Sequence, residues 1–488
     1  MLLAAADYWS SRDVHQDVSG VLASQGPGIV YSRLLRLRSG PGVALPSLEV
    51  ECDLCLEWQH PDPLTYVFRL REDVRWQDLP PLGARPLSPR DVAFSLDRLR
   101  TPGWPGAVLL ASMASVEATE PATVTIRLAS SDADFLLALA HGQAKVVAPE
   151  AVALRGDLRE GPTVGTGPWV LAREELGQAV FRPNPRYHEE GVPSLQELRI
   201  VPIADNQTRL AAFLAGQVDM TVVDEVGWER LPPAGQGVGR GAFPLPGTGL
   251  LFGLRATASP LDSLPVRQAV FQAMDPWEAL ESVWRGRGSV GVGVPLFSPQ
   301  WGLRQEELRA YFGNQAKAAG LLSQAGLSRG VPLTLTVADF GDRYLALGRK
   351  FQGFLQEAGF AVSTEAVNPR VYAERVWRDR DYQAFLGPLP PAQGPNAFLY
   401  GLLHSRGRWR LSGYEDPELD RLIEAQAVAL DGRQEMLVGV ERYVLERALL
   451  FMPVSGSSLW VWKPRVADLY PNVANWEYFH WARLRVKE

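Results

Sequence analysis

"SLQELRIVPIADNQTRLAAFLAGQVDMTVVD", Ser194 to Asp224, decides the fold. Its first part, "SLQELRIVPIAD", reads as a strand. "NQTRLAAFLAG" then predicts a helix from Gln207 to Ala215 that stops at Gly216, because glycine tolerates the left-handed backbone that closes a helix. Val218, Met220 and Val222 resume at period two, the spacing of a strand. Strand, helix and strand in this order favour a parallel or mixed sheet covered by helices.

The same rhythm continues downstream. "NQAKAAGLLSQAG" predicts a helix closed by Gly326, "VPLTLTVAD" a strand, "LALGRKFQGFLQEAGF" a helix closed by Gly359, and "AVSTEAV" a strand. "PVRQAVFQAMDPWEALESVW" is a helical region broken near Pro276, and the block from Pro417 to Pro453 carries two helices parted by Asp431 and Gly432. Upstream, Thr65 to Arg71 alternates with Tyr66, Phe68 and Leu70 on one face, and Ala122 to Ala129 alternates likewise. Between them Ser88 caps, and Pro89 opens, a helix whose inward residues are Val92, Phe94, Ser95, Leu96 and Leu99. "PGTGLLFGLRA" reads as a glycine-rich turn. "GPTVGTGPWVLAREE", from Gly161, could cradle a phosphate only if a helix followed its glycines. A strand follows instead, so these glycines read as structural.

At 488 residues the chain exceeds what one core supports, and two or three domains are expected. Its 46% hydrophobic and 21% charged residues are those of an ordered globular protein. The net charge of −6, with lysine only at 145, 317, 350, 463 and 487 and no basic cluster, excludes a phosphate-backbone reader, so no nucleic-acid partner is expected. No apolar run approaches the ~20 residues of a membrane span. The start, "MLLAAADYWSSRD", lacks the basic leader and length of a signal peptide, which fits either a cytoplasmic chain or a mature one whose export segment has been removed.

Cys52 and Cys55 cannot alone complete a four-ligand zinc site, and they lie in an extended run rather than at a helix start as a redox pair would. They are expected as half-buried strand or turn residues, with their bonding open. The histidines at 15, 60, 141, 188, 404 and 480 show no metal-ligand spacing, and no G-x-S-x-G elbow occurs. No catalytic residue, metal site or cofactor is therefore expected. A carboxylate-pair hydrolase is the enzyme alternative, with no two acids singled out for it.

Several motifs in fixed order carry a resemblance. "CLEWQHPDPLTYVFRLREDVRWQD", "LSPRDVAFSLDRL", "VGTGPWVL", "RPNPRYHEEGVPSLQELRI", "TRLAAFLAGQVDM", "PVRQAVFQAMD" and "GYEDPELDRLI" resemble segments of the family 5 extracellular solute-binding proteins, the peptide- and nickel-type receptors of ABC importers. Any one is weak, but together they span most of the chain. The resemblance implies a two-lobed α/β periplasmic-binding-protein fold (type II, cluster C-like) with an inserted third domain. Lobe I is expected from 1–40, 166–248 and 458–488, the inserted domain from 41–165, and lobe II from 249–457. Gly165 to Trp169 would lie where the chain returns from the inserted domain, its glycines permitting close backbone approach and unusual φ angles. Gly247 to Gly249 would absorb hinge rotation as the lobes close on a ligand.

The function so implied is capture of an oligopeptide or similar small solute between two lobes and delivery to a membrane ABC permease. The receptor would be a monomer, periplasmic or at the cell surface. A cytoplasmic sensor that reuses the fold is the other alternative.

In peptide-binding relatives, a tryptophan and an aspartate after a Tyr-x-Ala element commonly face the ligand, the carboxylate pairing with its amino group. Here Tyr382 and Ala384 are followed by Phe385 to Pro391, with no acid until Glu415. A buried ammonium without a carboxylate is costly, so a general preference for free amino ends is not expected unless an acid from elsewhere, such as Asp7 or Asp13, substitutes. The ligand-binding candidates are Trp9, Leu386, Gly387, Arg406, Arg408 and Trp409. The last three could hold a carboxylate or stack on a sugar or aromatic group; equally, they could be a solvated loop and one core tryptophan. Trp284, Trp460 and Trp462 are further possible walls of a cavity.

Overall fold

A computed structural model describes the chain except for residues 18, 176–177, 295–300, 328, 390–393, 412, 414, 473–475 and 488, and the side chains of 246–248. Pro390 and Pro391, at the end of the run that lacks an acid, thus lie outside the described residues. The chain divides into two compact units: Met1–Phe243 with Ser458–Glu488, and Pro244–Ser457.

In unit 1 the strand Leu2–Ala5 lies between Leu198–Pro202 and Met220–Val223, parallel to both. The latter two are joined by the helix Asn206–Leu214, so the deciding stretch forms the crossover that its periodicity predicts. Asp205 caps that helix by accepting the Thr208 N–H at 2.7 Å. Leu210 and Phe213 of the helix bury against Ala4, Val223, Leu459 and Val461. Gln178–Pro183 adds antiparallel to Leu198–Pro202, and Trp169–Glu175 adds beyond it.

Residues 41–165 fall within unit 1 and carry a separate antiparallel sheet, ordered Cys55–Asp62, Thr65–Leu70, Thr123–Leu128, Met113–Glu120. Tyr66, Phe68 and Leu70 are buried with Val124, Ile126 and Leu128. The nearby helix Pro89–Leu99 starts at Ser88, whose N–H and hydroxyl donate to Asp91 at 2.8 and 3.0 Å, with Arg85 forking onto the same carboxylate. Phe94 is only half-buried. Cys52 and Cys55 are joined by a disulfide.

The glycines of "VGTGPW" are there for close approach. A Cβ on Gly165 or Gly167 would sit 2.2 or 2.6 Å from the Val30 carbonyl oxygen. Neither Gly165 nor Gly167 has a left-handed backbone; in this stretch Gly161 does, with φ of 86°. The strand Trp169–Glu175 follows directly.

Unit 2 is built on Val331–Ala338, parallel to Phe360–Val367 on one side and Ala384–Pro388 on the other, with Leu250–Leu254 antiparallel beyond. The helix Asp342–Ala358 ends at Gly359 in the left-handed region, and the break at Pro276 separates Leu264–Ala273 from Pro276–Trp284, with Asp275 capping the second. "PGTGLLFGLRA" is not a turn. It belongs to one strand, Gly239–Leu254, which carries the chain from unit 1 into unit 2, and Leu450–Trp462 carries it back. Extended backbone suits this glycine-rich segment because Gly249, at φ 126°, leaves room for the Val454 carbonyl, which an added Cβ would meet at 2.2 Å.

Candidate functional site

Ligands of open α/β sheets gather beyond the carboxyl ends of the parallel strands. In unit 1 the Leu2–Ala5 strand ends in a loop that carries Asp7 to Asp13, and Trp169–Glu175 runs in the same direction and ends with Glu174 and Glu175. The loop and the strand end share a pocket of about 220 Å³, with Trp9 to Arg12 on one side and Arg159, Glu160 and Glu174 on the other. The Trp9 indole N–H donates to Glu174 Oε1 at 2.8 Å, and the ring lies over Gly26, where a Cβ would come within 3.0 Å of it. Arg12 Nη2 stands 2.8 Å from Glu174 Oε2, and Arg12 Nη1 donates to the Glu160 carbonyl at 3.4 Å. Trp9 is thus one sequence candidate that the structure places in a pocket.

Of the two acids expected as possible substitutes for the missing aspartate, Asp13 is committed elsewhere. It is fully buried and accepts Arg98 Nη1 at 2.9 Å and the N–H groups of Leu158 and His15 at 3.0 and 3.1 Å. Burial pushes its pKa up, but Arg98 and these N–H groups outweigh burial and bring it to about 2. Asp7 is exposed and accepts the Tyr8 N–H. Glu174 was missed, because "WVLAREE" was read only for its extended backbone; its place at the carboxyl end of a strand was the available signal.

In unit 2 two candidates are corrected. Leu386 is 0% exposed, in register with Phe252 and Val337 at the centre of the sheet, so its side chain belongs to the core. Gly387 is a packing glycine: a Cβ there would strike the Tyr372 ring at 2.4 Å, and the Tyr372 hydroxyl bonds the neighbouring Pro388 carbonyl. Arg406, 74% exposed, pairs with Glu424 at 3.1 Å, and the same carboxylate contacts His404 Nε2 at 3.1 Å. Arg408 lies 5.6 Å from the centre of the Trp409 ring. Trp409 is half-buried over Gly401 and edge-on to Trp377 at 6.5 Å, packed against the core of its unit.

An open groove of about 460 Å³ in unit 2 has Arg255, Thr257, Glu365, Arg375 and Asp381 in its lining, but Arg375 already faces Glu365 at 2.6 Å and Asp381 at 3.8 Å. Among the described residues no group of three or more His, Cys, Asp or Glu is placed to hold a metal, and no helix is long and apolar enough to cross a membrane.

Residues 49–409 match the family model described as bacterial extracellular solute-binding proteins, family 5 middle. The chain belongs to the family 5 extracellular solute-binding proteins. It is 25% identical over 448 residues to heme-binding protein A of Haemophilus influenzae, across 83% of this chain and 77% of that protein. It is 27% identical over 281 residues to the glutathione-binding protein GsiB of Salmonella typhimurium, across 56% of this chain and 52% of that protein. The structure of HbpA2 from Haemophilus parasuis superposes with a TM-score of 0.84 at 20% identity, covering 100% of this chain and 99% of the other. The fold is the two-lobed periplasmic-binding-protein fold. The chain is a solute-binding protein of the kind that serves ABC importers, and not an enzyme.

Proposed function

We propose that this chain captures a small solute carrying both charge and an apolar or peptide-like body, outside the cytoplasm, and delivers it to an ABC permease as a monomeric receptor. The family match over residues 49–409 carries this reading. Relatives named for heme and for glutathione support a solute of that kind, since each of those molecules combines carboxylates with a larger body. The lack of an acid from Phe385 to Leu389 argues against a receptor that selects free peptide amino ends there.

A bound solute stabilises the closed form only by its differential affinity for it. The strands Gly239–Leu254 and Leu450–Trp462, which carry the chain between units, are the segments we assign to hinge rotation, and residues 41–165 are the segment we assign to the inserted domain. Native mass spectrometry of protein purified from its natural host, followed by denaturation and identification of what is released, tests the reading. A released peptide, tetrapyrrole or acidic metabolite supports it. A chain that carries no solute, and whose melting temperature does not rise with any member of a metabolite panel, removes it.

A further inference from the structure

We propose that the Cys52–Cys55 disulfide is a redox-operated clamp on the junction between two sheets of unit 1, which a dithiol opens without unfolding the unit. The proposal goes beyond the receptor reading and does not depend on which solute is bound. Cys52 ends the strand Val50–Cys52, which pairs antiparallel with Leu35–Leu37 so that Leu35 stands opposite Cys52. Cys55 opens the strand Cys55–Asp62 of the four-stranded sheet, opposite Leu70. The chain thus passes from one sheet to the other across two buried residues, Asp53 and Leu54, and the disulfide closes a ring around them. Together these two residues bond to both sides of the junction. The Asp53 and Leu54 N–H groups donate to the Leu34 and Arg33 carbonyls at 3.2 and 3.1 Å, and the Leu54 carbonyl accepts the Arg71 N–H at 2.9 Å. Asp53 Oδ2 accepts the Arg33 N–H at 2.8 Å, while Oδ1 stands 3.7 Å from Arg36. Arg33 leads onward to Glu477, and Arg36 to Glu51 and Glu189.

A ring this short removes little freedom from the unfolded chain, because the entropy of closing a loop grows with its length. Its effect is local. Asp53 Oδ1 is buried and accepts no hydrogen bond, so the carboxylate has no second anchor of its own, and the covalent ring fixes its aim at the Arg33 N–H. The bond is also placed to be reduced. Cys52 is half-buried whereas Cys55 is 1% exposed, so the thiolate of a dithiol attacks Cys52 Sγ and the Cys55 sulfur is the leaving group. Cys55 Sγ lies 3.4 Å from the Leu34 carbonyl oxygen, so the thiol formed there has a hydrogen-bond acceptor already in place. The second thiol of the reagent then displaces Cys52. Two electrons and two protons pass to the protein, and the reagent leaves as its own disulfide. With the ring open, the Asp53 carboxylate loses its fixed aim, and the amides that meet at the junction open to solvent while the rest of the unit stays closed.

The test is hydrogen exchange of the full chain, oxidised and after dithiothreitol under native conditions, with the freed thiols counted by alkylation and intact mass. Reduction is expected to speed exchange at least tenfold at the Arg33, Asp53, Leu54 and Arg71 amides, and to leave the strands Leu198–Pro202 in unit 1 and Val331–Ala338 in unit 2 unchanged. Reoxidation should restore the slow rates. Asp53→Ala in the oxidised chain should reproduce the faster exchange at Arg33, and reduction should then add less than twofold there. The Cys52→Ser/Cys55→Ser double variant should behave as the reduced chain does; if it does not fold, the reduced natural chain decides alone. Exchange at these amides that agrees within twofold between the two redox states overturns the proposal. So does acceleration spread evenly over unit 1, which would make the bond a staple of the whole unit, and so does a disulfide that yields to the dithiol only after the chain unfolds.

Discussion

The two units hold themselves together by different physics. Unit 1 is threaded with buried charge. Arg33, 0% exposed, donates to both oxygens of Glu477 at 2.7 and 2.9 Å, and the N–H groups of Leu37, Tyr478 and Phe479 complete that carboxylate. Burial pushes the Glu477 pKa up, but Arg33 and these hydrogen bonds prevail and hold it at about 2. Lys145 donates to the Ala23 carbonyl and lies 3.2 Å over the Tyr478 ring, and burial drives its pKa well down. Asp53, held between the bonded cysteines, accepts the Arg33 backbone N–H at 2.8 Å and stands 3.7 Å from Arg36.

Unit 2 closes around phenylalanines instead. Phe252, Phe271, Phe312 and Phe351 surround Phe451 with ring centres 4.6 to 6.2 Å from it. A prominent buried acid there, Glu441, has the Leu303 N–H at 2.8 Å as its hydrogen-bond partner, and burial raises its pKa to about 7. The two units share one device: Arg209 and Arg267, each the fourth residue of its helix, reach back to carbonyls five and six residues earlier and across to a distant one. Charge in unit 1 orders distant chain segments by direction, whereas the rings of unit 2 stabilise by the apolar area they bury. The pH responses must also differ in sign.

The comparison breaks most sharply at Glu477. Glu477→Gln leaves Arg33 buried without its counter-charge and is expected to destabilise unit 1 by about 3–5 kcal/mol in urea unfolding. The double variant Arg33→Met/Glu477→Leu should recover more than half of that loss. If the single and double variants unfold alike, the pair is not what orders this core.

Glu441 gives the opposite slope. Its raised folded pKa means that its contribution is fully present below the unfolded value, near 4.5, and is lost as pH rises through about 7. Glu441→Gln keeps an oxygen for the Leu303 N–H and should stabilise by about 2–3 kcal/mol at pH 8, with little effect at pH 4.5. Glu477 and Asp13, with depressed values, contribute fully above their unfolded pKa values, and that contribution is lost progressively as pH falls from there through about 2. Thermal melts across this range, resolved by unit, would show the contrast.

In the ring cluster, Phe451→Leu should cost about 1–2 kcal/mol, since the neighbouring rings can fill part of the space; a loss as large as that of Glu477→Gln would show that unit 2 is no more tolerant than unit 1. The smallest effect is expected at the surface. Arg406→Ala, which removes an exposed pair with Glu424, should change stability by less than about 1 kcal/mol. Solute affinity unchanged by the same variant would remove Arg406 from the ligand candidates.

Much of the element order was legible in the sequence. The crossover from Ser194 to Asp224, the Pro276 break, the cap at Ser88 and the glycine stops at 216, 326 and 359 follow from backbone preferences that act over a few residues, and the structure has each of them. "PGTGLLFGLRA" misled because glycines signal turns locally, whereas here they make space for a strand from another part of the chain. Leu386 and Gly387 were placed by analogy of motif, and only packing showed that their surroundings are filled.

The sequence by itself carried the family resemblance and many of the helices and strands with their ends, because periodicity, capping and glycine conformation are local. Tertiary structure decided which charges meet. Arg33 and Glu477 lie 444 residues apart, and Trp9 and Glu174 lie 165 apart. No local pattern marks such partners. Their pairing depends on where the sheet returns the chain, and its strength on the water excluded around it.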